Sequence, residues 1–128
     1  MDTVGLIALW DKTDQWHAIA SQTLSKLDPT ETVFVTTSFV LLECGNAAAR
    51  RPYRPLVDQF RATLHEGGKL IIPSDDDQAN GWTNYRRGQP GDAGIVDQTS
   101  FVVMRRCGIT EAFTNDRHFK SAGFATLF

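Results

Sequence analysis

Four carboxylates stand in apolar or element-end settings that a purely solvated acid would not need. Asp2 precedes VGLIALW, Glu43 lies inside LLECG, Asp97 follows Ile95 and Val96, and Asp116 closes AFTND. Burying even one unpaired carboxylate costs several kcal/mol, so acids in such places are usually paired or hold a cation. Oxygen donors of this kind suit Mg²⁺ or Mn²⁺, which keep several waters and take a few carboxylates plus substrate phosphate. Two such ions about 3.5–4 Å apart activate water and stabilise the leaving oxygen when a phosphodiester is cut by in-line displacement. These residues therefore permit a nuclease. Blander readings exist for each: a frayed terminus for Asp2, a partly exposed helix face for Glu43, helix-dipole stabilisation for Asp97 and a turn former for Asp116.

Convergence of these acids depends on the elements that carry them, and the apolar pattern alternates short β-rich runs with helix-period segments. VFVTT at 33–37 reads as a strand, and SFVLLECGNAAARR after it has helix length with Thr37 or Ser38 as N-cap. RPLVDQFRATLHEGG spaces Leu56, Val57, Phe60 and Leu64 as a helix that stops at Gly67. KLIIP at 69–73 is a second strand, and Asp75, Asp76 and Asp77 open a helix toward Arg87. GIVDQTSFVVMRRCG, from Gly94 to Gly108, is apolar on more than one side and reads as a buried helix. EAFTND follows as a strand, then a turn or short helix in RHFKSAG, then FATLF. A helix from Gln15 leaves only the first ten residues for any earlier strand, which must be very short if Asp2 is to end it. Strands alternating with helices predict an α/β fold around a parallel sheet, where ligands bind at the carboxyl ends of the strands.

The 128 residues, without repeat or low-complexity linker, predict a single domain over 1–128. Hydrophobic residues make up 41% and charged residues 22%, and no apolar run approaches the roughly 20 residues of a membrane span. With no secretory signal pattern, a cytoplasmic location is the expectation. Cys44 and Cys107 lack zinc spacing and read as small buried hydrophobes. A formal net charge of −2 argues against bulk electrostatic binding of nucleic acid, although clustered acids would mask a locally basic rim. No glycine loop cradles a phosphate, so other phosphotransfer chemistry ranks low. SDDDQ at 74–78 has the wrong spacing for a calcium loop and reads as a helix start. His17, His65 and His118 share no ligand spacing. Of the arginine-rich segments RRPYRP and YRRGQPGD, the second offers Arg86 and Arg87 as RNA-binding candidates at the rim of the cleft, while Trp10, Trp16 and Trp82 read as core or interface.

In chain order these stretches resemble the PIN-domain family, metal-dependent ribonucleases that include the VapC toxins of type II toxin–antitoxin pairs. The most specific run is GIVDQTSFVVMRRCGITEAFTNDRHFKSAGFATL, from Gly94 to Leu127. TTSFVLLECGNAAARR and MDTVGLIALWDKTDQWHAIA also match, while 53–93 is least distinctive. The resemblance implies a three-layer α/β/α sandwich with a central parallel sheet, and a metal site formed by Asp2, Glu43, Asp97 and Asp116. It gives Thr3 a role supporting the cluster, and Thr114 and Asn115 a role orienting water or phosphate. It further implies endoribonuclease activity with Mg²⁺ or Mn²⁺, an RNA substrate, a cognate antitoxin and a homodimer, and no organic cofactor. In the family several apolar residues precede the first acid, whereas only Met1 precedes Asp2 here. An unusually short first strand is therefore expected, with an upstream start as its explanation. The competing expectation is a catalytically weak or inactive PIN-like module that binds RNA or serves as a scaffold.

Overall fold

The computed structural model describes residues 1–88 and 91–128. Gln89 and Pro90, inside the YRRGQPGD segment expected to line the cleft, lie outside the described residues. In chain order the elements are α1 (Thr3–Trp10), α2 (His17–Lys26), β1 (Thr36–Thr37), α3 (Ser38–Ala48), α4 (Arg54–Glu66), β2 (Leu70–Ile71), α5 (Asp75–Arg87), α6 (Ile95–Arg106), β3 (Glu111–Ala112), α7 (Arg117–Ser121) and β4 (Ala125–Thr126). Local chemistry sets several of these boundaries. Thr37 Oγ1 accepts the Val40 amide to start α3. Ser74 and Asp77 form a reciprocal capping box that starts α5, and Gly88, at φ 63°, ends it in the left-handed region glycine favours. The acids of SDDDQ thus serve a helix start, as their spacing predicts.

The parallel sheet is reduced to two short ladders. β1 pairs with β2 through Thr36↔Leu70 and Thr37↔Ile71, and β3 pairs with β4 through Glu111↔Ala125 and Ala112↔Thr126. Where a first strand was expected, Met1 alone lies alongside β1: its amine donates to the Val35 carbonyl at 2.6 Å and its carbonyl accepts Thr36 Oγ1 at 2.7 Å. The chain then turns directly into α1, because the Asp2 carboxylate accepts the Val4 amide and caps a helix. VGLIALW is apolar all round and is satisfied by burial on several sides. Leu6 enters a core with Val40, Leu41 and Leu64, while Ala8 packs with Ala20 and Phe113. A small cavity of about 40 Å³ remains between the ladders, lined by Met1, Thr36, Ile71, Ser100 and Ala112 among others.

Helices α5 and α6 form an antiparallel hairpin. At one end Arg106 clasps Asp77 with two guanidinium hydrogen bonds of 2.9 and 2.8 Å. Further along, Gly81 lies so close to Thr99 that a Cβ there would sit 2.6 Å from Thr99 Oγ1. A third core, from Phe101, Phe119, Phe124 and Met104, ties α6 to α7 and the second ladder. Cys44 is buried as expected, whereas Cys107, at the open end of α6, is exposed. Trp82, expected in a core or interface, is 51% exposed.

Candidate active site

Three of the four acids sit at helix starts. Asp2 caps α1, Asp116 caps α7 by accepting the His118 amide at 2.8 Å, and Asp97 accepts the Gly94 amide at 3.1 Å from the first turn of α6. Asp116 was expected to end a strand; β3 stops at Ala112 and the chain instead turns at 113–116. Glu43 comes from the exposed side of α3, and its carboxylate accepts Thr3 Oγ1. Thr114 bridges two acids: fully buried, its hydroxyl donates to Asp2 Oδ2 at 3.1 Å and accepts the Asp116 amide at 3.1 Å. Glu43, Thr3, Asp2, Thr114 and Asp116 thus form one linked series, with Asp97 facing it from α6. Asn115 is half-buried between Thr114 and Asp116.

The charges interact through this arrangement. Burial pushes the Asp97 carboxyl up to about 7, helped by the charges of Asp2, Asp116 and Glu43 and opposed by the Gly94 amide. Asp2, only 3% exposed, is raised by burial against the pull of its bonds to Thr3, Thr114 and Val4. Beside it the Met1 amine is pushed down to about 6 by burial, with Asp2 opposing the shift. Cys44, behind Thr3, is driven up to about 12 by burial and is an unreactive thiol.

The donor set fits a hard divalent cation. Four carboxylates share one region, and the ion pairs among the described residues, Arg61–Asp58 and Arg106–Asp77, lie elsewhere. Among the described residues no three acidic, histidine or cysteine side chains are drawn together tightly enough to enclose an ion. Mg²⁺ in particular keeps several waters and needs only one or two carboxylates directly, so a looser ring of acids suits it.

Arg86 and Arg87 occupy the exposed last turn of α5, where Arg86 donates to Thr83 Oγ1 at 3.3 Å. They make no hydrogen bond to the acids among the described residues. His118 contributes its backbone amide to Asp116, while His17 Nδ1 pairs with the Ala8 carbonyl and His65 is exposed on α4. Sequence reasoning gave no role to Gln98 and Ser100, whose buried side-chain polar atoms lack hydrogen-bond partners among the described residues. The polar run Asp97-Gln98-Thr99-Ser100 between the apolar stretches Ile95–Val96 and Phe101–Met104 is the signal that marks them.

The helix-rich α/β fold with short parallel strands, carrying acids at helix starts, is PIN-like. The chain is 29% identical over 128 residues to the 23S rRNA-specific endonuclease VapC20 of Mycobacterium tuberculosis, covering 99% of this chain and 95% of the relative. It also superposes on the crystal structure of M. tuberculosis VapC20, described as a sarcin–ricin loop cleaving toxin, with a TM-score of 0.80 and 27% identity over 97% of this chain and 94% of that one. No family model matches the sequence.

Proposed function

We propose that this protein is a metal-dependent endoribonuclease, the toxin of a VapBC-type pair, acting in the cytoplasm with Mg²⁺ or Mn²⁺. The observation that carries the reading is the gathering of Asp2, Glu43, Asp97 and Asp116 around one region, in a chain whose full-length relative is a ribosomal RNA endonuclease. Those four would hold the ion, which when bound supplies Lewis-acid activation of water and of the scissile phosphate. The chain's own part is to hold the acids in place. Thr114 fixes Asp2 relative to Asp116, Thr3 holds Glu43, and the Gly94 amide orients Asp97. Helix starts at α1 and α6 add partial positive charge where an anionic phosphate would approach.

A groove of about 450 Å³ between α3 and α4, lined by Leu41, Leu42 and Val57 with Arg54 and Arg61 beside them, supports the antitoxin part of the reading. Its apolar floor suits the apolar face of an amphipathic segment, and Arg54 offers a charge for an acid on it, whereas Arg61 is already paired with Asp58 of the same groove. Pairing as a homodimer completes the proposal.

The decisive assay is cleavage of 23S rRNA with Mg²⁺ or Mn²⁺, with chelator, and by Asp97→Asn. Cleavage should require metal and fall by at least about 10²-fold in the variant; equal cutting in all three would sink the mechanism. That no three acidic, histidine or cysteine side chains are close enough to enclose an ion among the described residues favours a second reading, a module that binds RNA without cutting it. Mn²⁺ titration separates the two, because only a working four-acid site takes up the ion.

A further inference from the structure

We infer that Trp82 and Tyr85 form a stacking platform for an unpaired base of the RNA, with Arg86 and Arg87 holding the phosphates beside that base. This deepens the ribonuclease reading and rests on it. The two rings stand one turn apart on α5, with centroids 5.5 Å apart and planes at 82°. They are 51% and 48% exposed, an aromatic edge left in water beside the Asp77 and Gly81 stripe by which α5 packs on α6. Lone exposed apolar residues are ordinary, but two large adjoining aromatic rings mark a surface that meets something.

The antiparallel register places that edge at the depth of the acids. Asp77 meets Arg106 and Gly81 meets Thr99, so the step from Trp82 to Tyr85 runs level with the first turn of α6, which carries Asp97. Gly94 follows in the sequence, its amide holding Asp97, and a Cβ on Gly91 would sit 3.9 Å from the His118 Nδ1. Charge selects the occupant. The next two residues after Tyr85 are exposed arginines outside both ion pairs of the described residues, in a chain whose net charge is −2. A local basic edge beside a flat aromatic surface is the pattern that takes a splayed base and its flanking phosphates, since every base has a π-face and guanidinium pairs with phosphate.

The test uses full-length protein and a fluorescein-labelled hairpin RNA with an unpaired loop. On an Asp97→Asn background, which keeps the RNA whole, Trp82→Ala should raise the dissociation constant about tenfold or more, and Trp82→Phe should restore most of the affinity. On the native background the same change should raise KM while leaving kcat within about twofold. Tyr85→Ala provides a second, independent reading should Trp82→Ala fold poorly. Native protein that cuts the hairpin while both alanine variants keep its KM and affinity overturns the platform alone. A native chain that neither binds nor cuts RNA overturns the platform together with the ribonuclease reading. Trp82→Ala that turns a dimer into a monomer at unchanged RNA affinity assigns the face to a second copy of the chain, and overturns the proposal.

Discussion

At the residue scale, Thr114 does the most with the fewest atoms. Its one hydroxyl both donates to Asp2 and accepts from the Asp116 backbone, with no exposed surface. Thr114→Val keeps the shape and leaves both partners wanting, so the expected loss is about 1–3 kcal/mol of stability. Catalysis should suffer more than folding, because the two acids lose their common reference. Urea denaturation together with single-turnover RNA cleavage measures both effects; unchanged turnover would remove Thr114 from the positioning of the site. The choice of Thr114 came from the resemblance, and that of the four acids from the burial argument and the resemblance together. Their hydrogen bonds came only from the fold, since Thr114 and Asp2 are 112 positions apart in the chain.

Among the elements, α1 is the one whose place most constrains the site. Gly5 presses on the Phe113 carbonyl so closely that a Cβ would sit 2.0 Å from that oxygen, and this contact seats Asp2 beside Thr114. Gly5→Ala should cost at least about 1–3 kcal/mol, lower the melting temperature by several degrees and impair cleavage. Gly45→Ala, with nothing within 4 Å, is the matched control and should be neutral or stabilising by up to about 1 kcal/mol. Differential scanning calorimetry of the two variants decides the point; equal melting temperatures would show that the contact carries no weight.

For the molecule as a whole, the gathered acids link folding to pH. With no metal bound, Asp97 titrates at about 7 in the folded chain against about 3.9 when unfolded. The native state therefore binds more protons between those values. Its stabilising contribution is complete below about pH 4 and is lost as pH rises through about 7. The Met1 amine, at about 6 when folded against 8.0, acts in the opposite sense, its contribution fading as pH falls from about 8 to 6. Melting curves of chelator-treated protein from pH 5 to 8 should thus show an Asp97-dependent decline, read as the difference from Asp97→Asn. Mn²⁺ should flatten the decline by stabilising the ionised site. Native and variant curves that run parallel would show that Asp97 does not feel its neighbours.

Sequence alone determined the order and type of most helices, because periodicity and caps are local: Thr37, Ser74 and Gly88 set boundaries through bonds to residues at most four away. It also singled out the four acids, since carboxylates in apolar settings are costly wherever they fall. Tertiary structure decided the rest. The expected strands shrank to two residues each, and VGLIALW became a helix rather than the surroundings of a first strand, because a strand bonds only to another strand distant in sequence whereas a helix bonds to itself. Only the hairpin register put Trp82 and Tyr85 in water at the depth of Asp97, and only the meeting of α1, α3, α6 and α7 made Asp2, the second residue of the chain, a buried carboxylate among three others.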